Sequence, residues 1–230
     1  MNTILITGAN RGIGLEFAKQ YLNNGWRVIA CCRKPDEAHE LKKLKDQNRF
    51  LTILPLDTSM NESIHHLSQL IKDEPIDLLL NNAGVWGPQN QTFGKTDSTA
   101  ALEVFKINTL APLLIVEVLI NNIANSQLKL IANMSSNMGS ISHNTQGDSY
   151  IYRASKAALN AITKGMAIDL KEKGIIVVSL HPGWVQTGMG GSNAPITPAK
   201  SVKGMREVLS HLTLAKTGNF IDYDGHKLDW

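Results

Sequence analysis

Short runs of continuous apolar residues alternate along this chain with longer stretches in which apolar positions recur every three or four residues. The first pattern is that of a strand buried on both faces and the second that of an amphipathic helix. Strands are predicted at Thr3–Thr7, Arg27–Cys32, Leu51–Leu54, Asp77–Leu80, Leu128–Asn133, Ile175–Leu180 and Asn219–Tyr223. Helices are predicted from Gly12 to Asn24, ending at Gly25, and from Asp36 to Lys45. A third begins at Ser59-Met60-Asn61-Glu62, whose Ser-x-x-Glu spacing suits a capping box, and fades before Pro75. The remaining three run from Asp97 to about Ile123 as one long helix, from Tyr150 to Lys171, and from Pro198 to Leu212.

Strand and helix taking turns from the first residues onward is the signature of a parallel sheet covered on both faces. The expected fold class is therefore α/β, a doubly wound Rossmann-type domain spanning residues 1–230. The Gly/Pro/Ser-rich stretch from Pro182 to Pro198 is too near the end of the chain to introduce a second domain. It reads as a loop over the carboxyl edge of the sheet, and residues 188–212 as a substrate-side loop and helix within the same domain.

Composition adds exclusions. A formal charge of +3, with Lys and Arg scattered, offers no basic stripe for nucleic acid. The most apolar helical stretch, around Leu110 to Ile120, carries Pro112 and Glu117 and does not suit a membrane span. Met1-Asn2-Thr3 leads straight into a strand without the features of a secretory leader. Cys31 and Cys32 are the only cysteines. Neighbours on a strand point to opposite faces, so they are expected to stay reduced, which fits a cytoplasmic protein. No Cys or His partners stand at metal-ligand spacing.

Candidate chemistry gathers at two places. Tyr152 and Lys156 lie four residues apart on a predicted helix, so phenol and ammonium share a face. A fixed cation beside a phenol favours the phenolate, and Lys156 is expected to lower the Tyr152 pKa from about 10. Near the N-terminus, Gly8-Ala9-Asn10-Arg11-Gly12-Ile13-Gly14 joins the first strand to the first helix. A glycine turn feeding a helix N-terminus brings backbone N–H groups up to a pyrophosphate. The second strand ends in Cys32-Arg33-Lys34 with no acidic residue. An acid there would take a ribose 2′-hydroxyl, whereas an arginine suits a 2′-phosphate, so Arg33, with Arg11 as a second cation, points to NADP(H) over NAD(H). Arg33 and Lys34 would also suit a merely solvated strand end. Asp57 follows the third strand and Asn81-Asn82-Ala83-Gly84 the fourth, both at the edge where such a sheet presents its ligand.

Taken in order, Thr7-Gly8-x-x-x-Gly12-Ile13-Gly14, Asn81-Asn82-Ala83-Gly84, Ser135-Ser136, Tyr152-x-x-x-Lys156 and Pro182-Gly183 resemble the single-domain short-chain dehydrogenases/reductases. The wording around Tyr152 to Asn160 and His181 to Gly191 is similar to the carbonyl-reductase-like and C-factor-like branch. The resemblance implies Tyr152 as acid/base, Lys156 on the nicotinamide ribose, Ser136 (rather than Ser135) on the substrate oxygen, and Asn108 supporting a water chain to the lysine. It also implies a cofactor lying along Gly8, Asn10, Arg11, Gly12, Ile13 and Gly14. Arg33, Asp57, Asn81, Ala83 and Gly84 would continue that surface, and Pro182, Gly183, Val185 and Thr187 would complete it. The implied activity is hydride transfer between NADPH and a small carbonyl or alcohol, in a homodimer or homotetramer. A cofactor-binding signalling protein with little turnover is the alternative. Two features depart from the pattern: a longer stretch between Ser136 and Tyr152, and Thr58 after Asp57 where an apolar residue is usual.

Overall fold

The computed structural model describes residues 1–230 throughout. Seven strands form one sheet: β1 (Thr3–Thr7), β2 (Arg27–Cys32), β3 (Leu51–Pro55), β4 (Leu78–Asn81), β5 (Leu130–Met134), β6 (Ile176–His181) and β7 (Phe220–Asp222). Their spatial order is β3-β2-β1-β4-β5-β6-β7, with every neighbouring pair parallel. Between β1 and β4 the winding reverses direction, and the carboxyl ends of those two strands open onto the crevice where a doubly wound sheet takes its ligand.

Helices α1 (Gly12–Asn23), α2 (His39–Gln47) and α7 (Pro198–Ser210) cover one face. On the other lie α3 (Asn61–Ile71), α4 (Ser98–Phe105), α5 (Ala111–Ala124) and α6 (Tyr150–Asp169). Strand side chains alternate between the two layers. Ile4 and Ile6 of β1 pack with Phe17, Val202 and Met205 on the first face, and Leu5 with Ile64, Ile115 and Leu119 on the second. No helix is long and apolar enough to cross a membrane.

Three predicted elements are redrawn. The long helix from Asp97 is interrupted: α4, capped by the Asp97 carboxylate accepting from the Ala100 N–H at 3.0 Å, runs into a π-helical segment, Lys106–Leu110, before α5. The polar helix after β2 is divided into a 3₁₀ turn, Pro35–Glu37, and α2. The capping box is not formed. The Ser59 hydroxyl donates to Asp57 Oδ1 at 2.7 Å, and α3 starts after Met60 with no side-chain cap. Asp57 draws the hydroxyl away because its own loop needs the bond more locally.

Both cysteines are buried and free; burial raises both thiols, Cys31 the more strongly. The final residues fold back on the chain's own sheet. The Trp230 ring stacks on Phe220 at 5.6 Å between centroids, and its carbonyl accepts from the Ser142 N–H and Oγ.

Candidate active site

The glycine loop is held from β4. Asn82 Nδ2 donates to the carbonyls of Thr7 and Gly8, at 2.9 and 3.2 Å, and the N–H groups of Asn82 and Ala83 donate to Thr7 Oγ1. The close fit needs glycine. A Cβ on Gly14 would stand 2.4 Å from the Gly8 carbonyl oxygen, and Gly8 itself, at φ +65°, lies against the Ala83 backbone. Gly12, at φ +55°, begins α1, and Arg11 before it offers no side-chain cap, so the first-turn N–H groups face outward. Thr187 completes the cradle from the loop after β6. Its Cγ2 lies 3.4 Å from where a Gly12 Cβ would be.

That loop is shaped by Gly183, at φ +78°, whose Cβ position is occupied by Ile196 Cδ1 at 2.5 Å. Pro182 accepts from Ser201 Oγ, buried Val185 bridges to Ile196, and the Thr187 hydroxyl accepts from the Gly190 N–H. At the end of β2, Arg33 is exposed and forms no ion pair, whereas Lys34 is bound to Glu37 at 2.9 Å. Exposed Asn10 and Arg11, and half-buried Ile13, line the open side of the glycine loop. Asp57 Oδ1 is engaged by the Ser59 N–H and hydroxyl.

Across the crevice the polar groups are buried. Tyr152 and Lys156 lie one turn apart on α6, 7% and 4% exposed, and the ammonium sits 5.8 Å from the phenol ring centroid. Lys156 Nζ donates to the Met134 carbonyl at 2.7 Å. Ser136, just past β5, forms a side-chain hydrogen bond with Tyr152 and accepts from the Met138 N–H at 3.1 Å. Ser135 is turned away and donates to Asn160 Oδ1 at 2.6 Å. Consecutive residues leaving a strand face opposite ways, which separates the two serines.

Asn108 occupies the π-helical segment and is fully buried. Its amide exchanges two bonds with the Val85 backbone, at 2.8 and 2.9 Å, and donates to Ser155 Oγ at 3.0 Å. Gly84 is the neighbour of both Asn108 and Lys156. A Cβ there would meet Asn108 Oδ1 at 3.3 Å and Lys156 Nζ at 3.5 Å. π segments often mark functional sites because the extra residue re-aims a side chain.

The expected lowering of the Tyr152 pKa is not found. Burial pushes the phenol up to about 12, with the Ser136 hydrogen bond opposing it, and burial brings Lys156 down to about 8. Removing both groups from water penalises each charged form, and the ammonium is directed at the Met134 carbonyl rather than at the phenol oxygen. Asn81 also departs from expectation. Its side chain points into the sheet, donating to Asn133 Oδ1 at 2.9 Å, so only its backbone borders the crevice. Two contributors went unassigned in the sequence: Asn82, which fastens the glycine loop, and Ser155, which joins Asn108 to the Tyr152 carbonyl. Asn82 belongs to a motif already singled out; Ser155 stands inside the Tyr-to-Lys spacing.

A glycine cradle at the sheet's switch point, facing a buried Ser-Tyr-Lys group, defines a dinucleotide-dependent oxidoreductase. Residues 2–196 match the short chain dehydrogenase family model, and the chain belongs to that family. It is 41% identical to C-signal of Myxococcus xanthus over 156 residues, which is 68% of this chain and 93% of that one. Among solved structures it is similar to the carbonyl reductase Sniffer of D. melanogaster, with a TM-score of 0.93, 36% identity and 100% of both chains covered. It is also similar to the NADPH-bound carbonyl reductase from chicken fatty liver, with a TM-score of 0.93, 35% identity, and 100% and 99% of the two chains covered.

Proposed function

We propose that this protein catalyses NADP(H)-dependent interconversion of a small carbonyl compound and its alcohol, working in the reducing direction. The observation that carries the proposal is the convergence of Ser136, Tyr152 and Lys156, all buried, beside a glycine cradle whose N–H groups are open. The cradle fits a dinucleotide. Gly14 leaves no room for a side chain, Gly8 and Gly12 hold the left-handed turn, α1 presents uncapped donors, and Arg33 offers an unpaired guanidinium where a 2′-phosphate would lie. Asn10, Arg11, Ile13, Asp57, the Asn81 backbone, Ala83 and Gly84 extend that surface, and Pro182, Gly183, Val185 and Thr187 close it. Residues 188–212 form the substrate side.

When bound, the nicotinamide supplies the hydride. Tyr152 donates its proton to the carbonyl oxygen as that oxygen gains charge, and Ser136 steadies the same atom through its hydroxyl. A phenol raised to about 12 holds its proton at neutral pH, as a donor must, but is a weaker acid than free tyrosine, so transfer depends on the charge building on the carbonyl oxygen. Lys156 would hold the ribose through its ammonium, and Asn108 fixes the Val85 backbone. NADPH-bound carbonyl reductase among the structural relatives supports the cofactor assignment. The signalling alternative has the C-signal relative in its favour, but the buried acid-base group favours turnover. A homodimer or homotetramer completes the reading. Leu102 and Leu110 stand exposed on one side of the fold, a patch that sizing chromatography would test.

Screening aldehydes, ketones and quinones for NADPH oxidation tests the proposal. Tyr152→Phe should lower turnover by about 10²- to 10⁴-fold while NADPH still binds. Undiminished turnover by that variant, or tight NADPH binding with no turnover across the panel, would overturn it.

A further inference from the structure

The helix that carries Tyr152 begins in an unusual way. Gly147, Asp148 and Ser149 all have left-handed backbone, at φ +68°, +58° and +52°. An N-cap residue ordinarily has extended backbone and accepts from the first-turn N–H groups through its own side chain. Ser149 has neither property and makes no capping bond. Two successive non-glycine residues held left-handed persist only where surrounding groups impose the conformation, and such sites cluster near chemistry.

Gln91, from the loop between β4 and α4, supplies what Ser149 does not. Its Oε1 accepts from the Tyr152 N–H at 2.8 Å, and its backbone carbonyl accepts from the Tyr150 N–H at 3.3 Å. Its Nε2 donates to the carbonyls of Trp86 and Pro88, at 2.9 and 3.0 Å. The side chain is 4% exposed, so these bonds are not shared with bulk water. Trp86, which Gln91 holds by its carbonyl, stacks on the Tyr152 ring at 4.5 Å between centroids and 30° between planes. Arg153 Nε donates to the carbonyls of Gly147 and Asp148, at 3.0 and 3.1 Å, closing the left-handed turn.

We infer that Gln91 is a positioning residue for Tyr152: it caps the catalytic helix from a loop 61 residues away in sequence and fixes Trp86 against the phenol ring. The inference rests on the reductase reading above. It goes further by assigning the orientation of the phenol to an amide outside the catalytic group. Its two arms do different things. The acceptor arm sets the helix start, and the donor arm sets the loop that carries Trp86.

Two variants separate the arms. Gln91→Ala removes both. Gln91→Glu keeps an acceptor for the Tyr152 N–H but turns an oxygen toward the Trp86 and Pro88 carbonyls. Hydrogen exchange over residues 150–153 and over 86–90, kcat and KM for a carbonyl substrate, and NADPH affinity are measured on the full chain. In Gln91→Ala, exchange at 150–153 should quicken by about 5- to 10-fold, as for a lost cap. Its kcat should fall by about tenfold or more, as for a displaced acid, with NADPH affinity changed less than about threefold. In Gln91→Glu, protection at 150–153 should be kept and that at 86–90 lost, with KM rising more than kcat falls. Unaltered exchange at 150–153 in Gln91→Ala overturns the inference whichever way activity falls. Quickened exchange with unchanged kcat overturns the positioning role. Failure of the reductase reading is seen elsewhere, as no carbonyl-dependent NADPH oxidation by the unaltered chain or as full turnover by Tyr152→Phe.

Discussion

The two sides of the crevice solve opposite problems. On the cofactor side, the groups proposed to meet the ligand are backbone N–H groups and exposed cations, and Arg33 has no partner within the chain. On the catalytic side, Ser136, Tyr152, Lys156 and Asn108 are buried and bonded to one another or to neighbouring backbone. On the first side the loop is held from beneath by Asn82 and Thr7, and its outward N–H groups and solvated charges are left free for the ligand. A side built from buried polar groups must be ordered beforehand, because an unpaired polar atom there costs far more than at the surface. Substitutions of the exposed groups on the first side should therefore change affinity, and those of buried groups on either side turnover or stability.

The adjacent serines break that contrast most sharply. Ser136→Ala should reduce kcat by about 10²-fold or more, read by steady-state kinetics, because one oxygen partner of the reacting carbonyl is removed. Ser135→Ala should leave kcat within a few-fold and instead cost about 1–3 kcal/mol in denaturant unfolding, since buried Asn160 Oδ1 loses its donor. Acid should act on a buried group outside both sides, at the β6–β7 edge. His181, at the end of β6, has a buried Nδ1 without a partner, and burial lowers its pKa from 6.5 to about 4. The unfolded chain takes up that proton earlier as pH falls. This contribution to stability is thus complete above pH 6.5 and lost between 6.5 and 4, on the order of 3 kcal/mol in all. His181→Gln should flatten that limb of a stability–pH curve.

Gly14→Ala tests the packing beneath the cofactor side. Its Cβ must displace the Gly8 carbonyl or the Asn82 amide, and thermal unfolding should register a loss of about 1–3 kcal/mol. Arg33→Ala should weaken NADPH binding by about tenfold and leave NADH binding unchanged, as titration of both would show. Lys34→Ala should do least, less than about threefold, because its charge is already committed to Glu37. Lys156, near 8 rather than 10.5, predicts an alkaline limb in kcat/KM as the ammonium is lost above about pH 8.

The parallel sheet was legible because its strands are buried on both faces and so appear as unbroken apolar runs. Six of seven lie within one residue of their predicted ends, and β5 begins two residues late, at Leu130. The site residues were legible where backbone demands a particular side chain, as at Gly8, Gly12, Gly14 and Gly183. What escaped depends on distant neighbours. Ser59 looked like a helix cap until Asp57 claimed its hydroxyl. The Tyr152 phenol looked acidified by Lys156, but burial of the pair, which no local spacing reveals, pushes the phenol up and the ammonium down. Gln91 reads as an ordinary polar loop residue. Its importance arises only when the chain brings it to the start of α6.

The π-helical turn at Lys106–Leu110 makes the length of this stretch a functional quantity. Each residue of an ordinary helix advances about 100° around the axis. Deleting one residue here would relax the turn to regular winding, and it would swing Asn108 and everything before it to a different bearing relative to α5. The chain should tolerate many exchanges of side chain along α4, yet tolerate no change in the number of residues between Asp97 and Ala111.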